Sequence, residues 1–233
     1  MKTITKKLLS LSVFAIAMAF LESAVVIYLR ALYYPEGFQF PIKPMDNLLA
    51  LVEVLREAAA IIMLIGIAYH AGKTKLQRFA FFCLAFAIWD LFYYIFLFVF
   101  LGWPESLFTM DLLFLIPTPW IGPVWAPCLL SLLMIFGAVP VIIRSEKNQN
   151  YPVHRLHWFL LISGALLCIF SFQWDYLKYC ANADLLNLFL GNALIDSIHH
   201  YVPLSFNYPL FFCGFAFMTY PVIIHLNLKQ NHL

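Results

Sequence analysis

The sequence predicts an all-α, polytopic integral membrane protein with six transmembrane helices and interfacial or re-entrant segments on the outer side. Three observations carry that reading. Of the 233 residues, 64% are apolar and 11% charged, whereas a soluble domain runs about 45–50% apolar and about 25% charged. The mean hydropathy is +0.85. Six runs reach the ~20 mainly apolar residues that a spanning helix needs: about Leu8–Leu32, Leu48–Tyr69, Phe79–Leu101, Ile121–Ile143, Leu156–Trp174 and Phe206–Leu226. These runs are continuous rather than alternating in ~10-residue pieces, which argues against an outer-membrane barrel. Backbone groups in hydrocarbon must be satisfied within the segment, so each run is read as a helix. Together they make one transmembrane domain over 1–233. A net charge of +2 excludes a basic nucleic-acid binder, and the expected partner is the lipid bilayer.

The first span has a rival reading. Lys2, Lys6 and Lys7, then Leu8–Ile16 and Ala17-Met18-Ala19, resemble a secretory signal peptide. The apolar run continues past Ala19 to Tyr28, broken only by Glu22, and favours a retained helix.

Between the third and fourth spans, Gly102–Trp120 holds the apolar run Leu112–Ile116 among Trp103, Pro104, Pro117, Pro119 and Trp120. That run is too short to span and reads as interfacial or re-entrant. Trp103 and Trp120 are placed in an aromatic belt at headgroup depth. Leu185–Ile198 reads as an interfacial helix before the sixth span, followed by His199 and His200.

Positive residues set the orientation. With the N-terminus inside, the inner ends carry Lys2, Lys6, Lys7, Lys73, Lys75, Arg78, Arg144, Lys147, Arg155 and Lys229. The outer ends carry only Arg30, Lys43 and Lys178. Both termini are expected in the cytoplasm, and the lysine-rich start with compact loops fits a bacterial inner-membrane protein. The size, six spans and this topology, with Ala15 and Ala19 in small-xxx-small form on the first helix, resemble the substrate-binding subunits of energy-coupling-factor vitamin transporters. Such a patch packs many membrane helices, so the resemblance carries over no binding residues.

The chemistry lies in residues that a lipid-facing helix should not have: Glu22 in span one, Glu53, Arg56 and Glu57 in span two, and Asp90 in span three. A central Asp, Lys or Arg costs about 2.5–3.5 kcal/mol on an insertion scale. At ~100° per residue, Glu53, Arg56 and Glu57 share one helix face, and Asp90 shares another with Tyr93 and Tyr94, flanked by Trp89. The expected arrangement is a single cluster with Arg56 as internal counter-ion, four acids for a cation or protons, and Tyr93, Tyr94 and Trp89 as walls. Four ionised acids and one Arg leave −3, so protonation or a bound cation must complete the site.

Three functions fit. The first is binding or translocation of a cation, proton or small amine-bearing solute. The second is a membrane-embedded enzyme acting on a lipid or prenyl substrate. The third is a structural subunit meeting a membrane partner. No GxSxG, HExxH or P-loop is present, so no catalytic residue is assigned. Metal and cofactor stay unassigned as well. His154 and His157 read as a headgroup-facing pair, His199 and His200 as an interfacial pair, and His70 and His225 as helix-end residues with no evident partner. The five cysteines include no CxxC, and those within spans read as small apolar residues.

Overall fold

A computed structural model describes residues 2–149, 151–182 and 199–227. It is mostly helical: α1 (Lys2–Tyr33), α2 (Asn47–Ala71), α3 (Lys75–Leu101), α4 (Trp125–Lys147), α5 (Arg155–Asn182) and α6 (Tyr208–Asn227), with two short strands, β1 (Met110–Phe114) and β2 (Trp120–Pro123). Five of these helices, α1, α3, α4, α5 and α6, are long and apolar enough to cross a membrane. Helix α2 has 25 residues but carries Glu53, Arg56 and Glu57 within a turn and a half. The predicted interfacial helix at 185–198 lies outside the described residues.

The bundle is built on α3, which packs against α1, α2 and α4, while α6 joins α5 and α4. Helix α1 meets α3 through Leu11, Ala15, Met18 and Ala19, all buried. One turn further on, Ser23 donates to the Tyr93 carbonyl of α3 at 3.2 Å. Small residues at this spacing let the two backbones approach. Helices α5 and α6 cross more closely still. A Cβ on Gly164 would lie 2.6 Å from the Gly214 carbonyl, and one on Gly214 would lie 2.6 Å from the Gly164 carbonyl.

One end of the bundle is basic. Lys7 donates to the Ala71 carbonyl, and Lys73 pairs with Glu146. Arg144 donates to the His225 carbonyl at the same end. His225, read as a helix-end residue with no evident partner, has two. Its ring lies 2.8 Å from the Tyr151 hydroxyl and 3.2 Å from His157, so His157 turns into the bundle rather than to headgroups.

The stretch after α3 departs from the all-α expectation. β1 and β2 form an antiparallel hairpin with Asp111 opposite Gly122 and an irregularity between Leu112 and Phe114. The fourth helix therefore starts at Trp125 rather than Ile121, because Trp120–Pro123 pair with β1. The hairpin is inserted into the bundle. Phe114 stacks on Phe86 and lies against Trp89, near the middle of α3. Trp120 stacks on Phe172 of α5 instead of sitting in a peripheral belt. Gly122 makes room for this, since a Cβ there would lie 2.6 Å from the Phe172 ring. The short apolar run Leu112–Ile116 thus re-enters the helix layer as a strand and its turn.

Candidate functional site

A cavity of about 420 Å³ lies between α1, α2, α3, α4 and the hairpin. Glu22, Glu53, Arg56, Glu57, Trp89, Asp90, Tyr93 and Tyr94 all line it, and so do Arg30, Asp111, Phe114, Trp120 and Ser131. The polar side chains do not form the single cluster expected from helical spacing. They fall into three stations, each held by a different element.

At the first station, Arg56 bridges Glu22 of α1 and Glu53 of its own helix. Its Nε donates to Glu53 Oε2 at 2.9 Å and its Nη2 to Oε1 at 2.5 Å, a two-pronged grip. The i,i+3 spacing puts Glu53 and Arg56 side by side, and Glu22 supplies the cross-helix bond. Two acids share one guanidinium.

The second station joins the helices to the hairpin. Glu57 is 6% exposed, and its carboxylate accepts from the Leu115 backbone N–H at 3.1 and 2.9 Å. Its hydrogen bond is therefore to the hairpin and not to Arg56. Asp90, 9% exposed, accepts from the Ser131 hydroxyl of α4 at 2.8 Å. Neither carboxyl has a salt bridge among the described residues.

The third station was not legible in the sequence. Arg30, placed at an outer helix end, reaches Asp111 of β1 at 3.5 Å. Asp111, within the stretch between the third and fourth spans, is 2% exposed and accepts from the Tyr94 hydroxyl at 3.2 Å. The Arg30 guanidinium sits 3.7 Å from the centre of a Trp103 ring and 4.7 Å from Phe38. Trp103 therefore shields a buried cation and stacks on Tyr94 rather than lying free in a belt. Burial raises the Asp111 carboxyl to about 6, against the lowering pull of Arg30, the Tyr94 hydroxyl and the Leu112 N–H.

His199 lies beside the same cavity, its Nδ1 donating to the Ile42 carbonyl at 3.1 Å, while His200 is exposed. No group of three or more His, Cys, Asp or Glu side chains among the described residues is arranged to hold a metal ion. Counting all lining groups as ionised, five acids (Glu22, Glu53, Glu57, Asp90, Asp111) face two arginines (Arg30, Arg56), again −3. The extra pair at the hairpin leaves the imbalance where the helix residues alone had put it.

The chain matches no family model, no curated protein and no solved structure.

Proposed function

We propose that this multi-pass membrane protein binds a small amine-bearing solute in the cavity between α1, α2, α3, α4 and the hairpin. One observation carries the reading: Glu57 and Asp90 line an aromatic-walled cavity and form no salt bridge among the described residues, while Glu22 and Glu53 share Arg56 and Asp111 has Arg30. Unpaired carboxyls at such depth are costly, and an ammonium group between them offsets that cost. The cavity volume and the Phe86, Trp89, Phe114 and Trp120 walls suit an organic cation better than a bare ion.

The proposal includes α2 as a sixth span. Leu48, Leu51, Val52, Leu55, Ile62, Met63 and Ile65 are exposed on it, while its acids and Arg56 face inward. The basic end then lies in the cytoplasm with both termini, and the cavity is reached from the hairpin side.

The test compares octylamine with octanol, equal in length but differing in charge. Octylamine should raise the melting temperature of the purified protein saturably at neutral pH, and octanol should not. Asp90→Asn and Glu57→Gln should each weaken the octylamine effect while the protein remains folded. Equal shifts with the amine and the alcohol would return the polar residues to a scaffold role.

A further inference from the structure

Six buried side-chain nitrogen or oxygen atoms lack a hydrogen-bond partner among the described residues, and three belong to cavity-lining residues: Arg30 Nη1, Trp89 Nε1 and Trp120 Nε1. All three are donors. A guanidinium and an indole N–H cannot accept, so whatever satisfies them must bring acceptors. Arg30 is the most demanding of the three. It is 8% exposed, it lies against the Trp103 and Phe38 rings, which stand at right angles to each other, and its bond to Asp111 is long at 3.5 Å. Glu22, Glu53, Glu57, Asp90 and Arg56, also at the cavity, already have hydrogen-bond partners.

Charge decides what kind of acceptor fits. The lining groups already sum to −3 when ionised. A carboxylate or phosphate at Arg30 would deepen that imbalance and meet the Asp111 carboxyl that is already there. An uncharged carbonyl oxygen satisfies Nη1 without either penalty.

The hairpin supplies a length. Asp111 marks the Arg30 end, and Leu115 marks the Glu57 end. Four residues of near-extended chain separate them, about 13 Å at ~3.3 Å each, somewhat less across the irregular pair. Arg30, Tyr34 and Phe38 also line a second cavity toward the loops, so the Arg30 end is the one that faces out.

We infer that the ligand is an elongated amine with an uncharged carbonyl oxygen roughly 10–13 Å from its ammonium group, in chemical terms an ω-amino ester or amide. The ammonium lies between Glu57 and Asp90, and the carbonyl accepts from Arg30 Nη1. This rests on the amine reading above and adds the acceptor, its neutrality and its distance.

Three eight-carbon probes test it by calorimetric titration of the purified protein: octylamine, methyl 8-aminooctanoate and 8-aminooctanoic acid. The ester should bind about tenfold or more tightly than octylamine, the worth of one hydrogen bond to a charged donor. The zwitterionic acid should bind no more tightly than the ester. Arg30→Met should erase the ester's advantage, read as the ratio of ester to octylamine affinity within that variant, which cancels any change in amine binding from the lost charge. If that variant does not fold, the three probes on the unaltered protein still decide the matter. Equal binding of ester and octylamine overturns the acceptor while leaving the amine reading intact. Tightest binding by the acid overturns its neutrality, and binding by none of the three overturns the amine reading itself.

Discussion

Glu57 of α2 holds the backbone N–H of Leu115 with both carboxylate oxygens, at 3.1 and 2.9 Å. A side chain in the middle of one helix thus holds the turn between two strands, at a residue 58 positions later in sequence. Glu57→Gln keeps an acceptor oxygen and should preserve the fold. Glu57→Leu leaves the Leu115 N–H unpaired and should cost about 1–3 kcal/mol. Thermal unfolding in detergent reads the cost. Labelling of Leu115→Cys, after replacement of the native cysteines, reads the loosened turn, and equal labelling in the two backgrounds would detach Glu57 from the hairpin.

Arg56 is the shared partner of Glu22 and Glu53. Arg56→Leu should strand both carboxylates and destabilise by about 3–5 kcal/mol, as for a buried pair that loses one member. Acid pH should restore part of the loss, since protonation removes the stranded charges. A variant that melts like the parent at pH 7 would contradict the bridge.

Gly164 and Gly214 place α5 against α6 at backbone contact. Gly164→Ala should cost about 1–3 kcal/mol through overpacking. Gly66→Ala is the matched control, because a Cβ there meets nothing within 4 Å, and alanine favours an open helix position by up to ~1 kcal/mol. Comparable melting temperatures for the two variants would refute the close crossing.

Asp111 gives stability a direction with pH. Its carboxyl stands at about 6 in the folded protein against the usual 3.8, so the folded state binds the proton more tightly than the unfolded chain. The stability that this contributes is fully present below about pH 4 and is lost as pH rises through about 6. Melting temperature should therefore fall between pH 5 and pH 7, and Asp111→Asn should flatten the fall. An unchanged slope in the variant would assign the pH dependence to other groups.

The helix layer was legible because continuous apolar runs leave few alternatives, and the Arg56 bridge followed from charges three residues apart on one face. The hairpin was not. Leu112–Ile116 is a short apolar run bounded by Asp111 and Pro117, and such a run fits a buried strand as well as an interfacial helix. Without the hairpin, Arg30 and Asp111 lie 81 positions apart with nothing to join them, and Trp120 looks like a belt residue. Helical faces placed Asp90 and Glu57 inward, but their partners, Ser131 and a backbone amide, carry no charge to betray them. The Gly164 and Gly214 pair and the His157 and His225 pair are hidden for the same reason. Each member is unremarkable in its own helix, and only the fold brings them together.

Among the described residues, strands β1 and β2 pair only with each other, so each keeps an outer edge of backbone groups. Lipid offers those groups nothing, and non-helical backbone at membrane depth survives only where protein surrounds it. The helices can enter the bilayer one at a time during synthesis, but the segment between α3 and α4 cannot follow them on its own. Its place exists only where the surrounding helices stand together and Glu57 receives the Leu115 amide. The segment in turn completes the walls of the cavity.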